Sequence, residues 1–215
     1  MGQLVESLCP EYGCAVAGVI DRSRAGLPDE WPAADVAIDF STADAVPSNF
    51  ARLAARGTSI VIGTTGWQAH ESALREQATR ARIGVVAAPN FALGVNVFLA
   101  LVARAGELMA ARSSVFGCWI HEAHHAAKRD APSGTALALE RALRAARYTA
   151  PVDVSSTRAG FIPGTHTVGF DAPAETITLT HTARDRTAFA RGALEAAKWI
   201  QGKQGWFGVR DVLGI

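Results

Sequence analysis

Between His121 and Thr135 the chain reads H-E-A-H-H-A-A-K-R-D-A-P-S-G-T, and most of its capacity for proton transfer lies in that stretch. His124 and His125 are adjacent imidazoles, the side chain most often used for proton transfer, and Lys128 offers either a proton or a fixed positive charge. Ser133-Gly134-Thr135, directly after Pro132, has the composition of a helix start, where backbone amides grip an anion. Simple capping explains the same three residues, and the two roles are compatible. Acid–base groups beside an anion grip suit an enzyme that handles a carboxylate-bearing substrate.

His121 through His125 also satisfies H-E-x-x-H, the pattern in which two helical histidines bind zinc and the glutamate acts as base. That geometry needs a helix. Residues 115–120 read better as a strand, Pro132 interrupts any long continuation, and spacing alone supplies no third ligand. No metal site is expected, and a zinc hydrolase is the remote alternative.

The elements that must position these groups fall into two regions. From residue 15 to 88, short Val- and Ile-rich runs at 15–20, 36–40, 59–62 and 84–87 alternate with helical periodicity at 43–56 and 67–82. This is the pattern of β-α-β units with a parallel sheet covered on both faces. A helix at 94–111, with Val97, Leu101, Ala105 and Leu108 at three- and four-residue steps, leads into the second region. There the spacing predicts a strand at 114–121, the reactive loop, and a helix at 134–147 with Ala136, Leu139, Leu143 and Ala146 on one face. An irregular stretch with Gly and Pro then precedes strands at 165–170 and 176–182 and a closing helix at 187–201. The expected architecture is α/β: a Rossmann-like parallel-sheet domain at 1–92, completed by 187–215, and an α+β domain for substrate binding and oligomerisation at 93–186.

Ligands of open parallel sheets bind at the carboxyl ends of the strands, and three such ends carry suitable residues. Asp21 and Arg22 follow the first visible strand, where an acid meets ribose hydroxyls and an arginine meets a ribose phosphate. Gly63-Thr64-Thr65-Gly66 follows the third, and Ala88-Pro89-Asn90-Phe91 closes the fourth, with an amide suited to a nicotinamide carboxamide. An ordinary turn is the competing reading of each. The usual fingerprint, a strand followed by G-x-G-x-x-G and a helix, is not visible: Met1-Gly2 leads straight into a helical segment at 3–8. The first strand and most of the glycine turn are therefore expected to be missing from this sheet, either because the written chain is short at its N-terminus or because a short form has lost tight cofactor binding.

Length and composition bound the rest. At 215 residues and 49% hydrophobic the chain supports one large domain or two small ones. Lys and Arg number 21 against 20 Asp and Glu, so no field recruits nucleic acid or an anionic membrane. Cys9, Cys14 and Cys118 lack metal-ligand spacing and read as reduced thiols in a cytoplasmic protein. No apolar run approaches the roughly 20 residues of a membrane helix, and no signal segment is evident.

With these pieces in place the chain resembles the dihydrodipicolinate reductase family over nearly its whole length. The residues that carry the likeness are Met1-Gly2, Ile38-Asp39-Phe40-Ser41, Gly63 to Gly66, Ala88 to Phe91 with Gly94-Val95-Asn96, and above all Glu122 through Thr135. Gly164 to Val168, His181 through Arg186, Phe189 and Gly192-Ala193-Leu194 also match. The resemblance implies reduction of a cyclic dicarboxylate by hydride from NADH or NADPH, in lysine and diaminopimelate synthesis, with the substrate domain closing over the nicotinamide. It implies His124 as proton donor or acceptor, Lys128 as proton donor, His125 as a substrate contact, and Gly134 and Thr135 as the carboxylate grip. It also implies supporting roles for Asp39 and Ser41 in the cofactor cleft and for Glu122 in orienting the histidines, a weaker contact at Arg186, and a homotetramer built through the strands after Thr165. A nonenzymatic or weakly active relative is the alternative. Asp21 and Arg22 pull the choice between NADH and NADPH in opposite directions.

Overall fold

A computed structural model describes residues 1–21, 23 and 31–215. The chain divides into two compact units, Met1–Leu93 with Thr187–Ile215, and Gly94–Arg186.

The first unit is built on a four-stranded parallel sheet in the order β1-β2-β3-β8, with β1 at Val36–Asp39, β2 at Ser59–Ile62, β3 at Gly84–Ala87 and β8 at Gly205–Phe207. Successive side chains of a strand point to opposite faces, and here both faces are apolar. Ile60, Ile62 and Val85 pack with Phe50 of α2 (Val46–Ala55) and Leu74 of α3 (Glu71–Ala81). Val61 and Val86 pack on the other side with Ala193, Ala196 and Ile200 of α6 (Thr187–Ile200). Val5 and Leu8 of α1 (Gly2–Leu8) join Ala190 and Leu194 of the same helix. A short α7, Val209–Leu213, follows β8.

The strand expected at 15–20 does not form. Residues 14–21 adopt no regular element, and Val16 and Val19 are 44% and 45% exposed. A strand persists only where a neighbour completes its hydrogen bonds, and the outer edge of β1 takes no partner among the described residues. An apolar run without an adjacent strand therefore forms no regular element here and is left largely exposed.

The second unit is a mixed sheet in the order β5-β4-β6-β7, with β4 at Gly117–His124, β5 at Val152–Arg158, β6 at Thr165–Ala172 and β7 at Glu175–Thr182. Its covered face carries rows of paired residues: Cys118 with Phe170, then Ile120 with Val168. These pack against Phe98 and Val102 of α4 (Leu93–Ala110) and Leu139 and Leu143 of α5 (Gly134–Ala145).

Three expectations are corrected here. β4 begins and ends three residues later than the predicted strand, which moves Glu122 and His124 out of a loop and onto the sheet. The stretch taken as irregular contains β5, whose Val152 and Val154 alternate with Asp153 and Ser155. In α4 the buried positions are Val95, Phe98, Val102 and Gly106, whereas Val97, Leu101 and Leu108 are 41%, 53% and 60% exposed. Both faces of that helix are apolar, so periodicity selected the wrong one. Its 18 residues and mean hydropathy of 1.5 also give it the length and composition of a membrane span, against the expectation that no apolar run approaches that length.

Candidate active site

On β4 the core-facing positions continue Cys118, Ile120, Glu122, His124, so the apolar face turns polar at its carboxyl end. Neighbouring strands extend the polar rows. Glu122 pairs with Ser156 on β5 and with His166 on β6, His166 pairs with His181 on β7, and His124 lies beside Arg158.

Glu122 is fully buried and every contact it makes is a donor. Arg158 reaches it with both terminal nitrogens, Nη2 to Oε1 at 2.7 Å and Nη1 to Oε2 at 3.0 Å. The backbone N–H of Ser133 donates to Oε1 at 3.2 Å, and His124 Nδ1 bonds Oε2. Burial pushes this carboxyl up, but hydrogen bonds from Arg158, Ser156 and His124 outweigh it and hold the group at about 2. Glu122 is therefore a carboxylate throughout the neutral range, and only Nδ1–H of His124 suits it. Burial keeps His124 below the ordinary imidazole value despite Glu122, so its Nε2 carries a lone pair. That edge lies against Gly164, where an added Cβ would stand 3.2 Å from Nε2.

Ser133 connects this pair to the start of α5. Its hydroxyl accepts the Ala136 N–H at 3.2 Å and bonds His166 Nε2 at 3.0 Å. Burial, then the neighbouring His124, bring His166 down to about 4, so the ring that meets the serine is neutral. The N–H groups of Gly134 and Thr135 have no protein acceptor among the described residues, as the first turn of a helix requires, and the space over Gly134 is open. Lys128 pairs with both oxygens of Asp130, at 2.6 and 2.8 Å, and this hydrogen bond lowers the Asp130 carboxyl. His125 is exposed just past β4, and its carbonyl accepts the Lys128 N–H at 3.1 Å.

The unit thus brings together His124, Lys128, His125, Gly134 and Thr135 on one strand end, one turn and one helix start. Sequence reasoning missed Arg158, because β5 was not recognised, and gave His166 no role. The strand also removes the zinc-peptidase geometry, since His121 sits on the opposite face of β4, bonded to Ser155. Ligand atoms of Glu122, His124 and His166 do lie within 4.8 Å of one another. However, Arg158 occupies both carboxylate oxygens, and its fixed positive charge opposes a cation there.

In the first unit, the register of β1, β2 and β3 aligns Asp39, Ile62 and Ala87. This sets Gly63, Thr64, Thr65, Ala88, Pro89 and Asn90 side by side at the carboxyl edge. Asp39 Oδ1 accepts from Ser41 N–H, Ser41 Oγ and Thr64 Oγ1 at 2.6–3.0 Å, clamping the ends of β1 and β2. The Thr64 hydroxyl is thus committed inward, and Thr65 is the exposed one. Asn90 Oδ1 accepts the Ala92 N–H at 2.8 Å. Phe91, expected beside the cofactor, is 1% exposed: its ring meets Phe40 edge-on and its carbonyl lies where a Cβ on Gly192 would be. Asp21 stands at no strand end, and its carboxylate accepts from Ser23. Arg22 lies outside the described residues.

A cleft of about 440 Å³ opens at the carboxyl ends of β2, β3 and β8, lined by Thr64, Trp67, Arg75, Ala88, Pro89 and Trp206. A depression of about 540 Å³, lined by Ser59, Arg82 and Lys203 among others, sits at the amino ends, where parallel sheets do not bind their ligands. The exposed Thr65, the strand-end amides and the carboxyl-edge cleft fit the nicotinamide half of a dinucleotide.

A nucleotide-type α/β sheet and a mixed-sheet unit holding an acid–base cluster beside a helix start define a two-unit oxidoreductase class. The comparisons narrow it: residues 1–91 match the family described as dihydrodipicolinate reductase, N-terminus, and residues 94–213 match dihydrodipicolinate reductase, C-terminus. A 4-hydroxy-tetrahydrodipicolinate reductase of Acidiphilium cryptum (strain JF-5) is 40% identical over 238 residues, covering 100% of this chain and 94% of the relative. The enzyme of that name from Stenotrophomonas maltophilia (strain K279a) is 46% identical over 199 residues, covering 92% and 80%. In fold, the chain is similar to a dipicolinate-bound dihydrodipicolinate reductase from Paenisporosarcina sp. TG-14, with TM-score 0.77, 21% identity and coverage of 97% and 93%. The chain belongs to the dihydrodipicolinate reductase family.

Proposed function

We propose that the chain reduces 4-hydroxy-tetrahydrodipicolinate to tetrahydrodipicolinate with NADH or NADPH, in lysine and diaminopimelate biosynthesis. The observation that carries this reading is the Glu122–His124 pair tied through Ser133 to the open helix start at Gly134 and Thr135, in a chain of this family. When bound, the dihydronicotinamide supplies the hydride. Going from a 4-hydroxy compound to its deoxy product expels the hydroxyl oxygen as water, so the site must also deliver a proton.

Gly134 and Thr135 bind one substrate carboxylate through their amides and the Thr135 hydroxyl. Lys128 turns from Asp130 toward the bound dianion, offsets its charge and donates the proton. His124, with Nδ1 fixed by Glu122, takes or returns a proton at Nε2, and His125 contacts the substrate from the turn. Gly63, Thr65, Ala88, Pro89 and Asn90 hold the nicotinamide half, with Thr64 supporting the turn from beneath. The Thr-rich face of β6 and β7, with Thr165 paired to Thr182 and Thr167 to Thr180, supports assembly of a homotetramer. A cytoplasmic location, with neither nucleic acid nor membrane as partner, completes the reading.

One observation favours a second reading, a relative with weakened cofactor binding: residues 14–21 lie outside the sheet, and the outer edge of β1 takes no partner strand among the described residues. A single assay separates the two. Oxidation of NADH and NADPH is followed while the unstable substrate is generated from pyruvate and aspartate semialdehyde by the preceding enzyme. Turnover that falls at least ~100-fold in Lys128→Met supports the reductase. Turnover reached only at millimolar cofactor supports the weakened form, and a folded chain inert at every cofactor concentration overturns both.

A further inference from the structure

Arg158 is assigned no part in the reaction above, yet it bonds both the carboxylate that orients His124 and the turn that carries Lys128. It stands on β5 directly beside His124 in the parallel register, its side chain is 17% exposed, and it sends a fork to Glu122. Its Nη2 also donates to the Asp130 carbonyl at 2.5 Å, and Nη1 to the Thr157 carbonyl at 2.8 Å. One planar group therefore binds the carboxylate that orients His124 and the backbone of the turn that carries Lys128. Lysine has a single nitrogen and cannot reach both. Arg158 Nε is left without a protein acceptor, which is what aiming both terminal nitrogens at these partners costs.

We propose that Arg158 is the positioning residue of the proton-transfer site: it keeps Glu122 a carboxylate, thereby fixing the Nδ1–H tautomer of His124, and it ties that pair to the Lys128 turn. The proposal rests on the reading of His124 and Lys128 given above.

The electrostatic consequence follows from the charges that face His124. Glu122 lies on its own strand, Arg158 on β5, Lys128 and Asp130 in the turn, and His166 on β6, with His181 behind His166 on β7. Lys128 and Asp130 offset each other, and both other imidazoles are neutral. The buried pair Glu122–His124 therefore carries one negative charge, and Arg158 is what balances it. Without Arg158 that charge is uncompensated, and the pair takes up a proton on one partner or the other. The two groups titrate as a unit, so the apparent pKa of the pair rises whichever atom receives the proton.

The test is the pH titration of the His124 imidazole by ¹⁵N–¹³C NMR on the full chain without ligand, alongside steady-state turnover. In the wild type, His124 is expected as the neutral Nδ1–H tautomer at pH 7. In Arg158→Met the apparent pKa of the pair moves up by at least about one unit, and the acid limb of kcat moves with it. In Arg158→Lys, which keeps the charge and loses the fork, the titration stays near the wild-type position while kcat falls roughly tenfold at unchanged KM, the signature of lost positioning.

A folded Arg158→Met protein whose His124 titration matches wild type would reduce Arg158 to a structural residue and overturn the proposal. So would a wild-type His124 found as the Nε2–H tautomer or protonated at pH 7, a result that needs no variant to fold. Absence of reductase turnover in the wild type would sink the functional reading while leaving the NMR outcome standing, so the two failures are distinguishable.

Discussion

Replacing Glu122 by Gln tests the buried cluster most directly, because its effect depends on pH in a direction the structure dictates. The Glu122 carboxyl is held at about 2 against an ordinary value of 4.5. A depressed carboxyl stabilises the folded state above the unfolded value and loses that stabilisation as pH falls through the folded one. The shift corresponds to about 3 kcal/mol, within the ~3–5 kcal/mol lost when one partner of a buried ion pair is removed. Glu122→Gln should therefore cost ~3–5 kcal/mol near pH 7 and little near pH 2, where the wild-type carboxyl is itself about half protonated and most of its stabilisation is already lost. His166 supplies an internal control. Burial holds it at about 4 against 6.5, so the wild type loses about 3 kcal/mol between pH 6.5 and 4, and the variant loses more, over a range that reaches below pH 4. Removing the Glu122 charge depresses His166 further, so this first step persists in the variant. Urea unfolding followed by far-UV circular dichroism from pH 7 to 2 should give two wild-type steps and a single step in the variant. A gap between the two curves that stays constant from pH 7 to 2 would show that Glu122 is not an ionised, Arg158-bound group, and the account of the His124 tautomer would fall with it.

Other outcomes test separate parts of the molecule. Ser133→Ala removes the cap of α5 and the partner of His166, and is expected to cost about 1–2 kcal/mol in urea unfolding and to raise the substrate KM by displacing Gly134 and Thr135; an unchanged KM would separate the cap from the anion grip. Gly192→Ala sets a Cβ 1.7 Å from the Phe91 carbonyl oxygen, so the first unit should lose at least ~3 kcal/mol or fail to accumulate, and a soluble variant with wild-type melting would contradict the packing of α6 on that loop.

The parts of this fold legible in sequence were those whose pattern had a single physical solution. Residues 59–62 and 84–87 are brief Val/Ile runs between helical stretches, and both strands form over those residues. Ala136, Leu139 and Leu143 recur at three- and four-residue steps along α5 and all three are fully buried, while Leu137 on the other side is 39% exposed. Where two solutions competed, the sequence misled. α4 is apolar on both sides, so no periodicity separates Phe98 from Leu101. Residues 15–20 have the composition of a strand, but a strand is a pairing and not a property of one segment. The site shows the same division. His124, Lys128 and the Ser-Gly-Thr start are contiguous and were found together. Arg158 and His166 come from other strands, and only register brings them to Glu122.

That register also explains why stability and chemistry are joined in the second unit. The face of β4 that presents Cys118 and Ile120 to the core presents Glu122 and His124 two and four residues later, and the partner strands change character at the same rows. A polar row continuing a packed face cannot be solvated, so each member must be satisfied by another, and rigidity follows from that requirement. Ser133 is the point of closure: its N–H serves Glu122, while its hydroxyl serves both α5 and His166. A change that loosens the helix cap therefore moves the orienting carboxylate, and one that discharges the carboxylate moves the helix start. In a unit built this way, variants selected for altered substrate affinity should carry shifts in acid stability as well, and the two effects should map to the same few side chains.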